Sequence, residues 1–280
     1  MDWVRSWVEN SPFSASLGVK LADLSEGNAQ LQLPFKEENA NPGKALHGGC
    51  AASLAVIGAG TLARAALGEE SGPWHTCALQ INYLSAAIGE DVAAQARLLR
   101  KGKELCFVEV DVATSERPIA HVTAAVRARH GREDTALHAS SGDEGAADPG
   151  PMGPHIEKLP FIAGRGLHID HMAGGRSRIR MPFRPENADG AGHVHDGAVL
   201  ALLDTTGAMA SWAETGPGRF KASTPSIQAQ ILAPAPKADL VAYGRVAQRD
   251  REIFWSDVEV ADTSNGRVCA RGTVIYRILT

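Results

Sequence analysis

Leu46-His47-Gly48-Gly49-Cys50-Ala51-Ala52-Ser53-Leu54-Ala55-Val56 returns 148 positions later, without a gap, as Val194-His195-Asp196-Gly197-Ala198-Val199-Leu200-Ala201-Leu202-Leu203-Asp204. The same offset carries Pro12-Phe13 onto Pro160-Phe161, Pro34-Phe35 onto Pro182-Phe183, and Glu38-Asn39-Ala40 onto Glu186-Asn187-Ala188. It also matches Thr76 with Thr224, Gln80 with Gln228, Glu104 with Glu252 and Val110 with Val258. A single ungapped offset over most of each half is the mark of a tandem duplication, and its period is far too long for a solenoid. Each half therefore reads as a domain, 1–130 and 155–280. Residues 131–154 between them are rich in Gly, Pro, Ser, Ala and acidic side chains and read as a flexible linker.

Within each half the elements come in the same order. Ala29-Gln30-Leu31-Gln32-Leu33 alternates at period two, as does Arg178-Ile179-Arg180-Met181, so both read as strands. A loop then delivers the His-Gly step and a helix, Gly49 to Ala66 or Gly197 to Trp212. That helix is built mostly of Ala, Leu, Val, Ile and Gly, which suits burial on most sides. Strands follow near Ala78–Leu84, Val92–Leu99, Phe107–Ala113 and Ile119–Arg129. Their copies fall near Ile227–Leu232, Leu240–Val246, Trp255–Ala261 and Val268–Ile278. One buried helix with a run of antiparallel strands is an α+β pattern.

Composition narrows the function classes. The 280 residues are 44% hydrophobic and 21% charged, with 28 Lys+Arg against 32 Asp+Glu. Such a balance argues against a mainly electrostatic nucleic-acid binder. Leu46 to Leu67 is the best candidate for a membrane span, but Arg64 breaks it and a core helix is the better reading. The first residues lack the regions of a signal peptide. Cys50, Cys77, Cys106 and Cys269 are scattered, so neither a metal cluster nor a disulfide framework is expected, and a cytoplasmic setting is the default.

The chain resembles the hotdog-fold acyl-CoA thioesterases, in particular the PaaI-like branch. The resemblance rests on Asn-x5-His-Gly-Gly, here Asn41 to Gly49, and on an Asp nine residues past the His, here Asp204 after His195. Thr224-x9-Pro234 and Glu252-x-x-Trp255-x-Asp257-Val258 fit the family's strands, and both halves are covered almost throughout. It implies a tandem double hotdog, each half an antiparallel sheet wrapped around one long helix. It also implies an acyl-CoA substrate, no cofactor, no metal, and a site between the two units. One unit would supply the loop and helix-start amide, the other the mid-helix carboxylate. Pairing of two such chains as a homodimer is left open.

Thioester hydrolysis needs an activated water and a way to hold charge on the carbonyl oxygen. The first amides of a helix are unpaired and its dipole favours an anion. Gly48 is the expected oxyanion donor, with Gly49 beside the substrate and Asn41 and His47 orienting the carbonyl or fixing the loop. Asp204 would act as general base or direct nucleophile, and Thr224 would hold the water or the carboxylate. The copies have diverged. Val56 stands at the Asp position of the first half, while the second half has Asp189 at the Asn position and Asp196 at the first Gly. The losses are complementary: Asn41, His47 and Gly48 with Asp204 and Thr224 make one complete site. Asp189, His195 and Asp196 with Val56 and Thr76 make a silent one, in which Asp196 is expected to serve as the helix N-cap. His193 and His195 have metal-pair spacing but no third ligand. Two basic hairpins, Arg100/Lys101/Lys103 and Arg249/Arg251, are candidates for the phosphates of coenzyme A.

Two rival readings are a hotdog hydratase or dehydratase and a non-catalytic acyl-CoA-binding module. The first resembles a pattern with Asp five residues before the His, where this chain has Pro42. Retention of Asp204 argues against the second.

Overall fold

A computed structural model describes residues 1–132, 135–142 and 145–280. The chain opens with two short helices, α1 (Asp2–Asn10) and α2 (Pro12–Leu17), and a hairpin of β1 (Lys20–Ser25) and β2 (Asn28–Leu33). The long helix α3 (Gly48–Leu67) follows, then β3 (Trp74–Tyr83), β4 (Val92–Lys101), β5 (Leu105–Ala113) and β6 (Pro118–Ala128). The order then repeats. α4 (Gly153–Ile156) and α5 (Pro160–Arg165) lead into β7 (His168–Ala173), β8 (Arg176–Met181) and α6 (Asp196–Thr215). The chain ends with β9 (Lys221–Ile231), β10 (Leu240–Asp250), β11 (Ile253–Asp262) and β12 (Val268–Leu279). The long helices begin and end at positions 148 apart.

Among the described residues twelve strands pair antiparallel into one sheet in the order β1-β2-β4-β5-β6-β3-β9-β12-β11-β10-β8-β7. The halves join at its centre, where β3 meets β9 and Gln80 lies opposite its own copy, Gln228. That rung is the local two-fold axis of the duplication. Gln80 Nε2 donates to Ser226 Oγ at 2.7 Å across it, and Ser226 Oγ donates to Ile81 O at 2.9 Å.

The small residues of α3 and α6 let each helix lie in the hollow of its half-sheet and touch its copy. A Cβ on Gly49 would stand 3.0 Å from Ala201 Cβ, and one on Gly197 2.8 Å from Ser53 Oγ. Gly58 admits Ala96 and Leu31 in the same way. The helix α3 is long and apolar enough to cross a membrane by composition, yet 83% of its most apolar window is buried inside the protein.

The segment 131–154, expected as a flexible tether, has four residues outside the described ones: Glu133, Asp134, Asp143 and Glu144. Gly131 and Arg132 bond to Gly72 and Glu104 of the first half, and later residues of the segment bond to the second. Ala139 bridges Arg267, Asp148 bridges His171, and Ser141 donates to Glu259 Oε2 at 2.9 Å. The helix α4 starts within this segment, at Gly153.

Candidate active site

The loop before α3 is pinned by Asn39, which sequence reasoning passed over. Its buried amide donates to Leu17 O at 2.9 Å, and its carbonyl accepts the His47 N–H at 3.0 Å. His47 is the N-cap of α3, with Nδ1 accepting the Gly49 N–H at 2.9 Å. Its ring stacks on Phe161 of the second half, centroids 4.3 Å apart. Burial lowers its pKa to about 4. The imidazole is therefore neutral, and the bond at Nδ1 assigns the proton to Nε2. The Cys50 N–H returns to His47 O. Among the described residues the Gly48 N–H, at the first position of the helix, meets no acceptor.

Asp204 of α6 lies against Gly48 from the other half. A Cβ built on Gly48 would stand 3.1 Å from Asp204 Oδ2 and 3.5 Å from Tyr83 Oη. Thr224 Oγ1 donates to Asp204 Oδ1 at 2.9 Å, which leaves Oδ2 turned toward Gly48. Asp204 is only 4% exposed. Burial raises its pKa to about 6, with the Thr224 hydrogen bond opposing the rise. Tyr83, the other residue the sequence reading missed, donates to Gly48 O at 2.9 Å. Burial and the neighbouring Asp204 carboxylate hold its phenol well above its ordinary pKa. The copy of Tyr83 is Ile231, a departure between the halves as visible as that of Val56 from Asp204.

The related position across the two-fold axis is closed. Asp196 does not cap α6. His195 does, through Nδ1 to the Gly197 N–H at 2.9 Å, as His47 does to the Gly49 N–H in the first copy. Asp196 instead accepts the Thr76 N–H at 2.6 Å and so ties the halves together. Arg64 lies buried against Trp7 and Trp74, its guanidinium carbon 3.6 and 4.5 Å from their ring centroids. With Val56, Asp189, His195 and Asp196 these side chains leave a cavity of only about 20 Å³. Burial raises the Asp196 pKa to about 6, with Thr76 and Arg64 opposing the rise.

The chain is similar to known proteins in sequence and in fold. A family model described as a domain of unknown function (DUF4442) matches residues 4–140. Acyl-coenzyme A thioesterase 13 of Homo sapiens is 31% identical over 111 residues, which are 39% of this chain and 78% of that protein. The chain belongs to the hotdog-fold thioesterase family. Two solved structures show the fold at full length. A conserved protein of unknown function with a hot dog fold from Alicyclobacillus acidocaldarius covers 96% of this chain and 98% of its own at TM-score 0.68, with 16% identity. The tesB protein of Mycobacterium avium subs paratuberculosis covers 95% and 98% at TM-score 0.68, with 11% identity. This thioesterase is thus a tandem double hotdog.

Other expected site residues take different places in the thioesterase. The Asn41 N–H donates to Ala45 O at 2.7 Å, and among the described residues no hydrogen bond joins its side chain to His47, Gly48 or Asp204. Gly49 packs against Ala201 and Phe161 and spends its N–H on His47, so it serves the helix crossing. His193 pairs with Asp189 at 3.6 Å. The two basic hairpins separate by register. Lys101 shares a rung with Cys106, Val126 and Thr76, beside the closed position, with Lys103 in the same turn. Arg249 shares a rung with Phe254 and Tyr276, on the side of Thr224. With Arg251 and Arg277 it lines an open surface hollow that also contains Asp250 and Glu252.

Proposed function

We propose that this thioesterase hydrolyses acyl-CoA at one composite site per chain, formed by Gly48, His47 and Tyr83 of the first half with Asp204 and Thr224 of the second. The carrying observation is the approach of Asp204 Oδ2 to the unpaired amide end of α3 across the two halves.

The chemistry follows from the groups present. The thioester carbonyl oxygen takes the free Gly48 N–H, where the absent side chain leaves room and the helix end favours negative charge. His47 does not move a proton: it is buried, neutral, and engaged at Nδ1 in holding the turn. Asp204 Oδ2 accepts a proton from water as the water oxygen bonds to the carbonyl carbon, forming a tetrahedral oxyanion. Collapse breaks the C–S bond, and the thiolate leaves with the proton returned from Asp204. A carboxylate with a pKa near 6 is ionised at neutral pH and basic enough for this transfer. Thr224 fixes which carboxylate oxygen faces the substrate.

The test is release of free thiol from acyl-CoA by wild type and by Asp204→Asn. Hydrolysis by the wild type with a loss of about 10²-fold or more in the variant supports the reading. An unimpaired variant overturns it.

A further inference from the structure

The duplication supplies an internal measure of the substrate. In the closed position the edge of the Trp7 indole lies over Gly60, with Cη2 3.0 Å and Cζ3 3.6 Å from where a Cβ would stand. Gly60 is the copy of Ala208, one turn beyond Asp204 on α6, and Val56 is the copy of Asp204. The indole therefore fills, on the silent side, the space next to the reacting centre on the working side. The copy of Trp7 is His155, which is exposed, so no ring enters the working site from α4.

The far wall of that space is also visible. Along the middle of α6, exposure above 2% is confined to Asp204, Thr205, Ala208, Met209 and Trp212, at 4, 4, 6, 7 and 9%. Leu202 and Leu203 before them, and Thr206, Ala210 and Ser211 between them, are sealed. Spacings of four and eight put Asp204, Ala208 and Trp212 on one face, the least sealed of the helix. Trp212 stands at its end. Its Nε1 donates to Tyr276 Oη at 3.2 Å, and its ring stacks on Phe220 at 6.2 Å. All three side chains are particular to the working side: the copies of Trp212 and Phe220 are Arg64 and Gly72, and Tyr276, opposite Phe254, takes the place of Val126, opposite Cys106.

We infer that the acyl group lies over Ala208 and ends against Trp212, so that Trp212, held by Tyr276 and Phe220, restricts the substrate to compact acyl groups. Asp204 and Trp212 are two turns apart, about 12 Å along the axis, and the indole leans back over about one of them. What remains suits a single ring or a chain of about five carbons. The inference rests on the thioesterase reading above and adds the size of the substrate to it.

The test is kcat/KM for straight-chain acyl-CoA thioesters of two to sixteen carbons and for benzoyl-CoA. Wild type should be fastest at or below six carbons, accept benzoyl-CoA, and lose roughly tenfold or more by twelve. Trp212→Ala should move the optimum to longer chains, Trp212→Phe should keep the wild-type profile, and Trp7→Ala, on the closed side, should leave it unchanged. Melting midpoints check that each variant folds, with Trp212→Leu replacing an unfolded alanine variant. Equal wild-type rates at four and sixteen carbons overturn the inference, as does a Trp212→Ala loss equal for every chain length. Failure of the underlying reading looks different: no acyl-CoA is hydrolysed, or Asp204→Asn is as active as wild type.

Discussion

Asp204→Asn should separate catalysis from stability, because one buried carboxylate controls both in opposite directions. The substitution keeps size and shape, and the amide oxygen can still accept from Thr224, now 2.9 Å from Oδ1. What disappears is the proton acceptor facing Gly48, so turnover should fall about 10²-fold or more. The charge also disappears. A carboxyl with a pKa of about 6 in the fold, against an ordinary 3.8, binds more protons folded than unfolded between those values. Stability contributed by this group is therefore highest below about pH 4 and falls as pH rises to about 6. The charged form costs on the order of 3 kcal/mol. At pH 8 the asparagine variant should melt several degrees above wild type, taking about 2–4 °C per kcal/mol for a large chain. At pH 4 most of that gap should close. Thiol release gives the activity, and calorimetry at pH 4 and 8 gives the stability. In wild type, kcat/KM should fall as pH drops through about 6, as the base is protonated. A Tm gap of the same size at both pH values would refute the buried-charge argument, and near wild-type turnover would refute the role as base.

Four further outcomes check the composite site. Gly48→Ala places a methyl 3.1 Å from Asp204 Oδ2, where the substrate carbonyl is expected, and should abolish hydrolysis with little change in Tm. By contrast, Asp196→Ala removes the acceptor of the Thr76 N–H on the closed side and should spare turnover, which thiol release measures. Tyr83→Phe frees the Gly48 carbonyl and should lower kcat about tenfold with KM nearly unchanged, a split that steady-state kinetics resolves. Cutting the chain between Thr135 and Ala136, both exposed, should leave an active noncovalent pair, while each half expressed alone should be inactive. A half-chain as active as the whole would exclude a shared site.

How far the sequence reaches can be read from particular residues. The 148-residue offset carries from the helix start at His47-Gly48 to that at His195-Asp196, and both long helices lie where their periodicity and composition put them. The opposed losses at Val56 and Asp196 are legible in the sequence and point to a site shared between the halves. The edge strands Lys20–Ser25 and His168–Ala173 escaped, because bulges at Leu21/Asp23 and Ile169/His171 break their alternation. Tyr83 and Trp212 escaped too, although their copies, Ile231 and Arg64, carry the same signal of divergence as Val56.

Local chemistry thus determined, from the sequence alone, which residues begin a helix, which alternate along a strand, and which copies had lost a reactive group. Only the tertiary structure decided that Gln80 pairs with Gln228, that Asp204 lies against Gly48, that Lys101 falls on the rung of Thr76 and Arg249 on that of Tyr276, and that Trp7 packs over Gly60 while its copy His155 is exposed. Periodicity and capping depend on neighbours a few residues away. These meetings join side chains far apart in the chain, and they are set by how two copies pack around an axis that no single stretch of sequence contains.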